Sequence, residues 1–106
     1  MNIIVPVPKS EIDHFWDEPP PGSIEWWTLP RRPTKLNVGD YIYFAIAGSI
    51  VGRARVDELM VREDLVCSAT GRHWKGCHVM WRSEDFQRTS VPGFHLKQTR
   101  GFSYLQ

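Results

Sequence analysis

The stretch Val38-Gly39-Asp40-Tyr41-Ile42-Tyr43-Phe44-Ala45-Ile46-Ala47-Gly48-Ser49-Ile50-Val51-Gly52-Arg53-Ala54-Arg55-Val56-Asp57 decides the fold. Asn37 to Asp40 reads as a turn that delivers a strand, Tyr41 to Ala47. Gly48 permits the reversal, because glycine reaches positive φ at little cost. Ile50 to Asp57 then returns as the partner strand. Parity tests the loop. A two-residue loop, Gly48-Ser49, would place Ile42, Phe44 and Ile46 on one face with Arg53 and Arg55. A three-residue loop, Ala47 to Ser49, places them with Ile50, Gly52, Ala54 and Val56. A slip of one residue exchanges the two faces of a strand, so burial selects the longer loop. The expected core face is Ile42, Phe44, Ile46, Ile50, Ala54 and Val56. The expected outer face is Tyr41, Tyr43, Val51, Arg53 and Arg55. Gly52 is expected where a neighbouring strand or bend comes close.

Upstream, Asn2 to Val7 reads as a short strand that Pro6 pushes to an edge or an end. Ser10 is a candidate cap for a short helix through Phe15 or Trp16, with Glu11 and Asp13 favouring its dipole. Pro19-Pro20-Pro21-Gly22 stops that helix. Ile24 to Leu29 is expected to be extended, and Pro30 and Pro33 bar a helix around Arg31 and Arg32. Downstream, Glu58 to Val66 fits either a strand continuation or a helical turn. Ser68 to Gly76 reads as a polar loop. Cys77 to Arg82 reads as a strand with Cys77, Val79 and Trp81 on one face and His78, Met80 and Arg82 on the other. Val91-Pro92-Gly93 reads as a turn, and Gly101 to Leu105 as a last strand with Phe102 and Tyr104 on one side. Short strands with glycine and proline punctuation predict a mainly β (α+β) fold. A single domain over 1–106 is expected, built as a small closed β-barrel with one or two short helices.

The length, 106 residues, suits one domain, and the apolar fraction of 42% suits a packed core. No apolar run approaches the ~20 residues of a membrane-spanning helix. Met1 to Pro8 lacks the basic start and small-residue cleavage site of a signal peptide. Cys67 and Cys77 are the only cysteines. Without a secretion signal they are expected to be free thiols in a reducing, cytoplasmic compartment. The net charge of +1 says little, but its distribution says more. Lys9 is the only basic residue in the first thirty, against Glu11, Asp13, Asp17, Glu18 and Glu25. From residue 66 onward, Arg72, Lys75, Arg82, Arg88, Lys97 and Arg100 face only Glu84 and Asp85. An acidic front and a basic back are compatible with a polyanion-binding face.

Lys35-Leu36-Asn37-Val38-Gly39-Asp40-Tyr41-Ile42-Tyr43-Phe44, followed by Gly48-Ser49-Ile50-Val51-Gly52-Arg53-Ala54-Arg55-Val56, resembles the PUA-like superfamily, which includes PUA, ASCH, EVE and YTH domains. The resemblance implies a PUA-like pseudobarrel of five or six strands with one or two helices outside it. It also implies a cleft for RNA, modified bases or nucleotides. The ASCH branch carries Gly-x-Lys-x-x-Glu-x-Arg ahead of the Gly-Asp turn. Aligned on Glu25, this sequence has Pro20, Gly22 and Trp27 where that motif has glycine, lysine and arginine. Only the glutamate matches, and the lysine used by ASCH-like amidohydrolases is absent.

Glu25-Trp26-Trp27 is the first candidate site. Neighbouring residues of an extended segment face opposite ways, so one indole enters the core while the other is free to line a cleft. An exposed indole is a stacking surface for a base, and Glu25 is a hydrogen-bond acceptor for an exocyclic amine. Arg31, Arg32 and Lys35, on a proline-stiffened loop, suit phosphate. Cys67, His73, Cys77 and His78 are zinc-type ligands, but no Cys-x-x-Cys pair exists and adjacent Cys77 and His78 would point apart, so no metal is expected. Cys77, beside Lys75 and His78, is a candidate for a lowered thiol pKa. The leading expectation is a binding module for RNA, single-stranded DNA or a modified nucleoside, through Trp26, Trp27, Arg31, Arg32 and Lys35. No cofactor and no membrane partner are expected, and the oligomeric state is left open. One alternative is a small ASCH-like amidohydrolase acting on a nucleoside, with Glu25 as acid or base and Thr34 or Lys35 as a second polar group. Another is a protein-interaction domain using Tyr41, Tyr43, Arg53 and Arg55.

Overall fold

The turn before the deciding hairpin is tied down by its own backbone. Asp40 donates its N–H to Asn37 O and accepts the Asn37 N–H at Oδ2, while Gly39 and Asp40 bond Val56 across the sheet. The Met1 ammonium also reaches Asp40 Oδ2 at 2.8 Å. That bond, with the Asn37 N–H, holds the Asp40 carboxyl below its ordinary range. The computed structural model describes residues 1–17, 19–61, 65–66, 73–74, 76–91 and 101–105. In chain order the elements are β1 (Asn2–Pro6), α1 (Lys9–Phe15), β2 (Ile24–Leu29), β3 (Tyr41–Ile46), β4 (Ser49–Arg55), β5 (Glu58–Val61), β6 (Leu65–Val66), β7 (His73–Trp74), β8 (Cys77–Arg82), a 3-10 turn (Ser83–Asp85), β9 (Phe86–Val91) and β10 (Ser103–Leu105).

The strands form a five-stranded sheet, β10-β1-β3-β4-β9, a three-stranded sheet, β2-β8-β5, and the small ladder β6-β7. Only β1 and β3 run parallel; the other described pairs are antiparallel. The two larger sheets share one bent hairpin. β4 continues into β5 through Val56-Asp57, and β8 continues into β9 through the 3-10 turn. β4 pairs with β9 in the first sheet, and β5 with β8 in the second. At the bend, Asp57 N–H bonds Met80 O, and Asp57 Oδ2 accepts the Arg82 N–H at 2.9 Å.

The expected mainly β architecture with little helix is found, but the barrel does not close. Among the described residues, β2 pairs with β8 and with no strand of the five-stranded sheet. Large rings fill the space between the layers. Phe44 lies 5.1 Å from Phe15, 5.4 Å from both Trp27 and Trp81, and 5.9 Å from Phe86, centroid to centroid. Around these rings the core gathers Ile3, Val5, Leu29, Ile42, Ala54, Val56 and Val79. The helix begins at Lys9, with Glu11 N–H bonding Pro8 O, so Ser10 lies inside the first turn rather than capping it.

The hairpin corrects the expected register. The loop is Ala47-Gly48, with Ile46 opposite Ser49, and both loop residues have positive φ, 50° and 78°. Such turns match strand twist, which offsets the strain of an alanine there. An extra residue in β4, Val51, then restores the parity, since Ala45 faces Ile50 and Phe44 faces Gly52. Ile42, Phe44, Ala54 and Val56 are therefore in the main core as expected. Ile50 is buried instead with Ile4 and Ala45 in a second cluster, and Val51 packs toward the main core rather than outward. Gly52 does receive a close neighbour. A Cβ on it would stand 2.5 Å from Phe86 Cζ. Glu58–Val61 and Leu65–Val66 are strands, and His73–Trp74 is a strand inside the segment expected to be loop. Cys67 and the Pro92-Gly93 turn lie outside the described residues, as do Arg72, Lys75, Lys97 and Arg100.

Candidate functional site

β2 is the strand that carries the sequence candidates. Its ladder with β8 sets Glu25 opposite Trp81, Trp26 opposite Met80, Trp27 opposite Val79 and Thr28 opposite His78. Alternation puts Glu25, Trp27 and Leu29 on the inner face with Trp81 and Val79. Trp27 packs edge-on against Phe44 and, at 6.5 Å, against Phe15. Trp26 points to the outer face and is half-buried. The two indoles are thus split between interior and exterior by the pleat. Glu25 accepts a hydrogen bond from Ser23 Oγ at 3.2 Å and shares the face of Trp27, not of Trp26.

The outer face beside Trp26 carries groups that sequence reading missed. Glu58 of β5 and Trp26 of β2 flank the same residue of β8, Met80. A cleft of about 200 Å³ runs there, lined by Ile24, Asp57, Glu58, Met80, Trp81 and Arg82. Its end is held by the proline-rich loop, because Gly22 N–H bonds Ser83 Oγ and Ser83 Oγ donates to Pro20 O. Ser83 N–H also bonds Ser23 O, which keeps the start of β2 beside the 3-10 turn. Asp85 in that turn shares a hydrogen bond with Asp57. That bond, then burial and the charges of Asp57 and Glu84, push its carboxyl above its usual range, against the pull of Arg55. Ile24 is more than half exposed at 58%, an apolar side chain at the mouth of a polar cleft. No sequence signal joins Asp57 and Glu58 to Trp26, because only the β5–β8–β2 ladder brings them together.

The basic loop is organised differently. Arg31, Arg32 and Lys35 are exposed. The Arg31 guanidinium lies 4.8 Å from the Phe102 ring centre and the Lys35 ammonium 5.7 Å from that of Tyr104. The two rings meet edge-on at 5.3 Å, and Tyr104 OH accepts the Lys35 N–H at 3.0 Å. The C-terminal aromatics thus act as seats for two of the three cations.

Cys77 and His78 point to opposite faces of β8 and both are buried. His78 Nδ1 is bonded to Thr28 Oγ1 at 2.8 Å. Burial pushes the Cys77 thiol pKa up, and Arg32 offsets only part of this, contrary to the expectation of a lowered value. Among the described residues no three His, Cys, Asp or Glu side chains converge to hold a metal ion. Among them, too, no helix is long and apolar enough to cross a membrane. Comparison with family models, curated proteins and solved structures finds no match to this chain.

Proposed function

We propose that this domain binds RNA, single-stranded DNA or a modified nucleoside on the outer face of its three-stranded sheet, with Trp26 as the stacking platform. One observation carries the reading: Trp27 is anchored in the ring cluster, so the pleat turns Trp26 outward, paired with Met80, which lines the cleft although Trp26 itself does not. A stacked base would lie over Met80, with Ile24 at the mouth of the cleft. Its exocyclic amine would find acceptors in Asp57 and Glu58, and a carbonyl or phosphate would find Arg82. Leu29, the end of β2, lies three residues and ~10 Å along the strand from Trp26, and Arg31, Arg32 and Lys35 follow beyond it, at the opposite end of β2 from the cleft residue Ile24. They would take the phosphates that continue from the bound base, and the rings under Arg31 and Lys35 limit the side-chain freedom lost on binding.

The same spacing counts against the amidohydrolase alternative. Glu25, bonded to Ser23, stands near the start of β2, while Lys35 leans on Tyr104 in the loop beyond its end. The four residue steps from Glu25 to Leu29 alone span ~13 Å, which no proton transfer bridges.

The binding reading is tested by equilibrium titration with nucleosides, modified nucleosides and short single-stranded oligonucleotides. Trp26→Ala is expected to weaken binding by ~1–3 kcal/mol, the value of one stacked base. If no member of the panel binds at millimolar concentration, the reading falls.

A further inference from the structure

The five-stranded sheet has a solvent face of its own, unrelated to Trp26. Tyr41 and Tyr43 occupy the middle strand, β3. Arg55 stands directly opposite Tyr41, and Arg53 opposite Tyr43, on β4. Gln87 of β9 stands opposite Arg53 on its other side. Arg53 is fixed by all three neighbours. Its guanidinium lies 4.6 Å from the Tyr41 ring centre, its Nε–H bonds Gln87 Oε1 at 3.0 Å, and its Nη1 donates to Tyr43 OH at 3.5 Å. Every one of these partners is neutral. An arginine fork carries five N–H groups, so among the described residues most of its donors remain uncommitted after the bonds to Gln87 and Tyr43. Such a group has already lost its rotamer freedom and keeps its full charge, which is what an oxyanion receptor needs.

We propose that the Tyr41/Tyr43/Arg53/Arg55 face is a second nucleic-acid surface, on which Arg53 grips a backbone phosphate of a single strand. Arg55 sits two residues along the same face, ~6.6 Å away, to meet the neighbouring phosphate. Asp85 lies near Arg55, so Arg53 is the less compensated of the two cations. The Tyr43 ring, 6.3 Å from Tyr41 and tilted to it, offers surface to a base, while the Tyr41 ring is covered by the Arg53 guanidinium. An acidic peptide would use the cations but gain less from two rings on the central strand of an open sheet. The site does not rest on the Trp26 cleft, which belongs to the other sheet.

The test measures binding of a short fluorescein-labelled single-stranded RNA, and of DNA of the same sequence, by anisotropy over a range of salt. Arg53→Gln is expected to weaken binding ~10-fold and to lower the salt slope by ~0.7, the value of one phosphate on a single strand. Arg53→Lys keeps the charge and the slope but loses several-fold in affinity, because the fork is gone. Tyr43→Phe removes one anchor of the guanidinium and gives a smaller loss. Trp26→Ala leaves the slope unchanged, so failure of the cleft reading and of this one are told apart. If Arg53→Gln does not fold, the Arg53→Lys and Tyr43→Phe variants carry the test. Unchanged affinity and slope in Arg53→Gln and in Arg55→Gln would overturn the proposal. So would capture of an acidic peptide on this face in place of either nucleic acid.

Discussion

The two sheets bury their central strands in different ways. In the five-stranded sheet, β3 alternates between core and solvent side up to Phe44, with Ile42 and Phe44 inward and Tyr41 and Tyr43 half-exposed. In the three-stranded sheet, every residue of β8 from Cys77 to Trp81 is buried, including His78 at 0% exposure. A half-buried strand writes its orientation into the sequence as alternation, whereas a strand buried on both faces does not. The polar chemistry differs as well. The outer face of the larger sheet carries Arg53, fixed on neutral side chains, and Arg55 beside it. The cleft on the smaller sheet carries carboxylates, Asp57 and Glu58, with Arg82 among apolar groups.

Phe44 links the two regions, and removing it is the strongest test of their union. Its ring touches side chains from both sheets and from α1. Phe44→Ala is expected to cost ~3–5 kcal/mol in urea unfolding. A loss below ~1 kcal/mol would show that the ring cluster does not hold the sheets together.

Gly52→Ala probes the larger sheet alone. The added methyl would press on Phe86, and over-packing of this kind costs ~1–3 kcal/mol. In the Phe86→Leu background the cost should shrink, because the two positions share one space. Additive losses would mean that the ring does not lie over the glycine.

Asp85 probes the bend where the sheets meet. Its proton affinity is raised in the folded state, so its contribution to stability is fully present below the ordinary value of 3.8 and is lost as pH rises through the higher folded value. Carboxyl NMR should show Asp85 titrating above that ordinary value. Asp57→Ala removes both the hydrogen bond and the repulsion and should move the titration down. An unchanged midpoint would place the cause outside this pair.

The hairpin shows how far the pattern could be read. Its faces at Ile42, Phe44, Ala54 and Val56 follow from alternation alone. The bulge at Val51 does not, because a shorter loop plus one extra residue leaves the same parity beyond it as a longer loop. Ile50 and Val51 are the residues misplaced by that equivalence. The closed barrel differs for another reason: short strands with glycine and proline punctuation are shared by barrels and by open sheets, and strand pairing between distant segments decides between them.

At the candidate site, the opposed directions of Trp26 and Trp27 were determined by the chain itself, since adjacent residues in a strand must diverge. Local sequence also set the Gly39-Asp40 turn and the extended run after it. Which indole faces inward was decided only by tertiary structure, through the Phe44 ring cluster. The same is true of Trp26 and Glu58, residues far apart in the chain that flank Met80 from either side of β8. It is true again of the seats that Phe102 and Tyr104 provide for Arg31 and Lys35. Backbone geometry acts between neighbours and is legible in order. Ring packing, strand pairing and cation–ring contacts act across space, and no local pattern records them.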